Sequence, residues 1–262
     1  MLCQTQVTRV AERYAMFLER FPTPAACSAA PVGAVVAEWV GLGYNRRAVQ
    51  LHAAATTIVI RFAGAVPADL EALRQLPGVG PYMARAVLAF AFERDVGVVD
   101  TNAARILARA VAGRRLTASE AQAAADRLVP PGQGWSWNQT MLDFGAAICR
   151  SRLPRCPECA LSEQCAWARA GHPQPDPAVA SAGTAKAQST FSGSDRQGRG
   201  RLVAALKEGP LAAGAVAVAA GWPGDEDRAA RVVSGLVADG LVERELDGTL
   251  RLPGGLPWSL VT

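Results

Sequence analysis

Four cysteines fall within seventeen residues, Cys149-x6-Cys156-x2-Cys159-x5-Cys165, and this cluster constrains the chain more than any other feature. Four thiolates on so short a loop can surround either a cuboidal iron–sulfur cluster or one tetrahedral zinc ion. Zinc loops commonly pair two knuckles, and here only Cys156 and Cys159 make one, so the spacing favours iron–sulfur. Six cysteines in 262 residues do not form a secreted disulfide scaffold, and thiols crowded in this way point to a reducing compartment. Cys3 and Cys27 lie far from the cluster and read as small apolar side chains. No apolar run approaches the roughly 18 residues of a membrane span, and the N-terminus has no basic-then-apolar leader. The expectation is a cytoplasmic protein.

Residues 1–170 read as helix almost throughout. Val7, Val10, Tyr14, Phe17, Leu18 and Phe21 recur largely at three- and four-residue steps, an amphipathic stripe ended by Phe21-Pro22-Thr23-Pro24. Further helical patterns run through about 31–40, 45–62, 68–75, 81–92, 101–112, 117–129 and 135–149, with short Gly- or Pro-bearing breaks. Strand signals are scarce, which predicts an all-α domain with short connections.

Residues 171–198 are poor in large apolar side chains and rich in Pro, Ala, Ser and Gly, the composition of a linker. Residues 199–254 read as a smaller unit: helices at 201–208, 211–220 and 226–239, a glycine cap at Gly240, then a hairpin about Asp247-Gly248. Three helices and a hairpin make a winged-helix-like pattern. Its third helix has few basic residues beyond Arg228 and Arg231, so packing on the first domain is favoured over DNA contact.

The formal net charge is +4, and residues 1–170 carry 18 basic against 13 acidic side chains. Nearly all the basic residues are arginine, whose planar fork suits phosphate, although an arginine- and alanine-rich genome explains the bias as well. Arg150, Arg152 and Arg155 lie between the first two clustered cysteines, where they would offset the charge of a ligated metal centre and face a phosphate backbone.

Two further motifs carry chemistry. In Leu76-Pro77-Gly78-Val79-Gly80-Pro81, Pro77 stops one helix, the glycines permit a tight hairpin, and Pro81 suits the first turn of the next helix. Backbone N–H groups on such a turn can approach a phosphate closely; an ordinary helical hairpin is the plain alternative. Twenty residues on, Asp100 precedes a helix in Val98-Val99-Asp100-Thr101-Asn102, where an aspartate is ordinarily an N-cap.

The hairpin, the aspartate and the cysteine loop, in this order, resemble the helix-hairpin-helix DNA glycosylase superfamily with an iron–sulfur loop. The resemblance covers residues 1 to about 170 and implies two helical subdomains flanking a cleft, an all-α fold with a [4Fe–4S] cluster held by Cys149, Cys156, Cys159 and Cys165. The endonuclease III branch has a lysine nucleophile two residues after the second hairpin glycine. Tyr82 stands there, so Schiff-base chemistry loses its amine. Met1 to Val7, Gly41-Leu42-Gly43-Tyr44, Leu76 to Tyr82, Val99 to Asn102 and Trp137-Asn138-Gln139 are instead similar to the MutY-type adenine DNA glycosylases, which remove adenine mispaired with 8-oxoguanine.

That resemblance implies roles for single residues. Gln4 and Tyr44 enter the duplex beside the mispaired purine, and Gly78 and Gly80 grip the backbone. Gln139 reads the edge of the extruded adenine, Asp100 stabilises the cationic sugar, Asn102 holds the sugar, phosphate or water, and Tyr82 lines the pocket. The implied partner is double-stranded DNA with a mismatch, and the implied state a monomer. The family's proton donor is a glutamate two residues before the position of Met1, so residues 1–262 are expected to bind and flip adenine and to excise it slowly. Residues 199–254 are too short and too helical for the family's usual 8-oxoguanine-sensing domain. The alternatives are a thymine or uracil mismatch glycosylase and a non-catalytic binder of damaged DNA.

Overall fold

The structure, a computed structural model, describes residues 1–3, 5–181 and 190–254. In chain order its helices are α1 (Val7–Arg20), α2 (Pro24–Ala29), α3 (Val32–Trp39), α4 (Arg46–Arg61), α5 (Leu70–Arg74), α6 (Pro81–Ala91), α7 (Thr101–Ile106), α8 (Ala118–Leu128), α9 (Gly134–Ala147), α10 (Ala166–Arg169), α11 (Asp195–Glu208), α12 (Val216–Ala220) and α13 (Glu226–Ala238). A wider π-type turn, Leu107–Ala112, continues α7. The strands β1 (Glu243–Arg244) and β2 (Leu250–Arg251) pair antiparallel, Glu243 opposite Arg251. None of the described helices is long and apolar enough to cross a membrane.

The chain divides into two compact units. The first joins residues 1–67 and 75–78 to residues 190–254. Its core runs continuously from Val10, Phe17, Val35, Val36 and Trp39 to Leu202, Leu206, Val233, Leu236 and Leu250. The C-terminal helices and hairpin therefore pack on the N-terminal helices, as the scarcity of basic residues on α13 suggests. Gly33 allows this approach, because a Cβ there would meet the Pro253 carbonyl oxygen at 2.5 Å. Arg228 is spent within the unit, on Asp195 at 2.7 Å and stacked over Trp222. The second unit holds residues 68–74 and 79–181, and packs α7 on α9 and the π turn on α8 and α10.

Three readings of the sequence need correction. The Pro-rich stop after α1 is also a start: Thr23 accepts from the Ala26 N–H and Pro24 occupies the first turn of α2. The stripe on α1 is narrower than its apolar residues imply. Val10, Phe17 and Phe21 are buried, whereas Val7, Tyr14 and Leu18 are exposed. Finally, 171–198 is not linker throughout. Residues 172–181 fold back onto the second unit, and Ser194 caps α11 so that the helix begins at Asp195.

Candidate active site and cysteine-lined cavity

Asp100 is the N-cap of α7. Its Oδ1 accepts from the backbone N–H groups of Asn102 at 2.7 Å and Ala103 at 2.8 Å. The plain capping reading is thus correct, and it leaves Oδ2 with a single bond, from Asn102 Nδ2 at 2.9 Å. Asn102 Oδ1 in turn accepts from Arg105 Nη2 at 2.7 Å. Arg105 is buried, and its remaining donors go to the carbonyls of Thr101, Gly145 and Cys149. One continuous set of hydrogen bonds therefore joins the Asp100 carboxylate to the backbone of Cys149. Burial pulls the Arg105 guanidinium down, and the neighbouring Cys149 and Asp100 push it back. Gly145 is required here: a Cβ would lie 2.6 Å from that of Asn102, so only glycine lets α9 come this close to α7.

The segment leading to Asp100 is pinned by Asn138, a side chain with 2% exposure. Its Oδ1 accepts from Val98 N–H at 2.7 Å, and its Nδ2 donates to the carbonyls of Val96 and Gly134. Asn138 stands in the stretch that carries the family resemblance, yet its role is structural, fully satisfied as a buried amide must be. Its neighbour Gln139 is half-buried and donates Nε2 to both carboxylate oxygens of Asp143 at 3.0 Å, which fixes the direction of the amide. Tyr82 lies half-buried on the first turn of α6.

The hairpin between α5 and α6 forms as the sequence predicts. Gly78 has φ +76°, and a Cβ there would meet Gln50 at 2.7 Å, so glycine is demanded twice over. Gly80 is the N-cap of α6; no atom lies within 4 Å of where its Cβ would be, so the turn's backbone is open on that side.

Tyr44 is an exposed aromatic with φ +49°, next to Gly43 at φ +76°. A bulky residue in the left-handed region costs about 1–2 kcal/mol, and such strain concentrates at functional sites. The turn is held by Trp39 Nε1, which donates to the Gly43 carbonyl at 3.1 Å. Arg47, stacked over Trp39 with 5.1 Å to the ring centre, donates to Thr5 Oγ1 and to the carbonyls of Met1 and Cys3. Thr5 itself donates to Leu42 O at 3.2 Å. Residues 1–5 are so tied to the 41–44 turn; Gln4 itself lies outside the described residues.

All four clustered cysteines line one cavity, together with Ile106, Arg109, Phe144, Ile148, Leu161 and Trp167. Their thiols sense one another: burial first, then Cys149, Cys159 and Cys165, push the Cys156 thiol up. Thiolate ligands of a single zinc must converge to within about 4 Å of each other, given Zn–S bonds of about 2.3 Å. Among the described residues no three Cys, His, Asp or Glu side chains converge in that way. Four thiols around a hollow with an apolar wall fit a larger polynuclear cluster better than one ion. The arginines expected to balance it are misassigned by the sequence. Arg150, Arg152 and Arg155 are exposed, and Arg155 pairs with Glu158 at the surface. Arg109 is the buried one, with Nη1 3.5 Å from Cys149 Sγ.

Residues 1–131 match the family model of the HhH-GPD superfamily of base excision DNA repair proteins. The chain belongs to that superfamily. Over 259 residues it is 38% identical to an adenine DNA glycosylase of Mycobacterium tuberculosis, covering 97% of this chain and 83% of that one. Among solved structures it is similar to a thermostable thymine-DNA glycosylase (28% identity, TM-score 0.59, covering 64% of this chain and 80% of that one). It shares its fold with endonuclease III in a trapped covalent DNA complex (24% identity, TM-score 0.58, covering 66% and 82%). The predicted all-α helix-hairpin-helix glycosylase fold is therefore correct.

Proposed function

We propose that the protein is a monofunctional DNA glycosylase that hydrolyses the N-glycosidic bond of adenine mispaired with 8-oxoguanine or guanine. The observation that carries this reading is the Asp100 carboxylate, capped onto α7 through Oδ1 and held through Oδ2 by Asn102, in a chain closely similar to adenine DNA glycosylases. An anion fixed in this manner costs no reorganisation when positive charge develops at the sugar, so it favours the cationic transition state over the neutral substrate. Asn102 orients that carboxylate and holds the sugar, phosphate or attacking water. Gln139 offers an amide to the adenine edge, where donor and acceptor together match N6 and N7. Tyr82 lines the pocket, and its phenol supplies no amine for a Schiff base, which leaves water as the nucleophile.

Gln4 and Tyr44 enter the duplex at the mispair, and the open backbone about Gly78 and Gly80 takes a phosphate. Cys149, Cys156, Cys159 and Cys165 hold a [4Fe–4S] cluster, whose service is to order the loop between α9 and α10. The protein acts as a monomer on chromosomal DNA in the cytoplasm. Residues 199–254 serve as a winged-helix-like packing module on the glycosylase domain.

Excision from A:8-oxoG, A:G and A:T duplexes under single turnover tests this reading, with residues 1–262 assayed beside the same chain preceded by its upstream codons. Faster release from A:8-oxoG and A:G than from A:T is expected, and Gln139→Ala should reduce that preference. Equal rates on all three duplexes would refute the mispair specificity.

A further inference from the structure

Beyond Cys165 the chain does not leave the cysteine-lined cavity. His172 packs edge-on against Trp167 with 4.7 Å between ring centres, and Trp167 Nε1 donates to the Pro173 carbonyl at 2.9 Å. Asp176 then receives a two-pronged bond from Arg109, Nε to Oδ1 at 3.0 Å and Nη2 to Oδ2 at 2.5 Å. The segment ends on Ser181, which is buried, bonds to Pro177 O and accepts from Leu116 N–H at 3.2 Å. Both side chains that anchor its middle, Trp167 and Arg109, line the cavity with the cysteines.

Arg109 is 2% exposed. A buried guanidinium is tolerated only when paired and hydrogen-bonded. Asp176 takes two of its donors, Arg150 O takes Nη1 at 2.7 Å, and the same Nη1 stands 3.5 Å from Cys149 Sγ, while the guanidinium stacks over Trp167. Asp176 therefore sets both the orientation of Arg109 and how far its charge is neutralised before it reaches the sulfur. Without the carboxylate, residues 172–181 lose their central tie, and Arg109 presents an uncompensated cation to Cys149.

We infer that Asp176 is a positioning residue of the cysteine site: through Arg109 it fixes the hydrogen bond to Cys149 and straps residues 172–181 over the cavity, so that the iron–sulfur centre is shielded and its potential held low. This rests on reading the four cysteines as a cluster site. It is independent of which base is removed.

The test uses holoprotein as isolated, comparing wild type, Asp176→Asn and Asp176→Glu. Bleaching of the visible absorbance by an iron chelator gives the rate of cluster loss, and protein-film voltammetry gives the potential. Asp176→Asn should bleach at least tenfold faster, and its potential should shift upward, because removing a nearby negative charge disfavours the oxidised cluster. Asp176→Glu should recover most of both. Asp176→Asn isolated without iron, beside iron-loaded wild type and Asp176→Glu, would also support the inference. Wild-type bleaching and potential in Asp176→Asn would overturn it, as would a lowered melting temperature with the potential unmoved. A wild-type protein that itself carries no iron would overturn the cluster reading and this inference together.

Discussion

Asn102 Nδ2 donates to Asp100 Oδ2 at 2.9 Å, on the carboxylate oxygen that capping of α7 leaves over. One oxygen thus serves the fold and the other is presented by a neighbour that is itself held by Arg105. Structural and chemical duties of the same side chain can be separated by substitution.

Asp100→Asn keeps the size and the Oδ1 acceptor, and asparagine caps helices about as well as aspartate. Thermal stability and duplex binding should change little. Electrostatic stabilisation of a developing charge is worth about 2.7–4 kcal/mol, so excision should fall a hundredfold or more. Parallel melting, binding and single-turnover measurements check this, and retained excision would reduce Asp100 to a cap.

Arg47→Ala removes the ties from residues 1–5 to the turn that carries Tyr44. Mispair binding should weaken about tenfold, the roughly 1.4 kcal/mol of one lost charged hydrogen bond. Binding to undamaged duplex should weaken less. Fluorescence of 2-aminopurine beside the mispair reports insertion directly, and unchanged discrimination would free Arg47 from this role.

Gly78→Ala forces a left-handed conformation on a residue with a Cβ and drives that Cβ into Gln50. It should cost about 1–3 kcal/mol of stability, read by denaturant unfolding. If the turn binds a phosphate, the salt dependence of duplex affinity should also flatten by the equivalent of about one contact. Gly80→Ala, where space is open, should leave stability nearly unchanged.

Features encoded by neighbours in sequence were legible. Pro77, Gly78 and Pro81 announce their turn, Asp100 announces its helix, and the spacing of Cys149, Cys156, Cys159 and Cys165 announces a shared centre. What escaped depends on long-range burial. Arg109 and Asp176 are 67 positions apart, and nothing in the composition of residues 171–181 marks one aspartate as the partner of a buried arginine. Arg105 looks like any helical arginine until Gly145 and Cys149 arrive from 40 or more residues away. The arginines visible beside the cysteines were the exposed ones, because proximity in sequence says nothing of which side chains a loop turns inward. Asn138 shows the converse: a motif residue whose amide proves to be spent on backbone.

The central claim is that the pocket around Asp100 removes adenine. The identity of the base released from an equimolar mixture of A:8-oxoG and T:G duplexes tests it most directly, read by mass spectrometry of the small-molecule fraction, with the chain assayed both as residues 1–262 and with its upstream codons. The account predicts free adenine, intact T:G duplex and no release by Asp100→Asn. Free thymine, or no free base from either form of the chain, would contradict it.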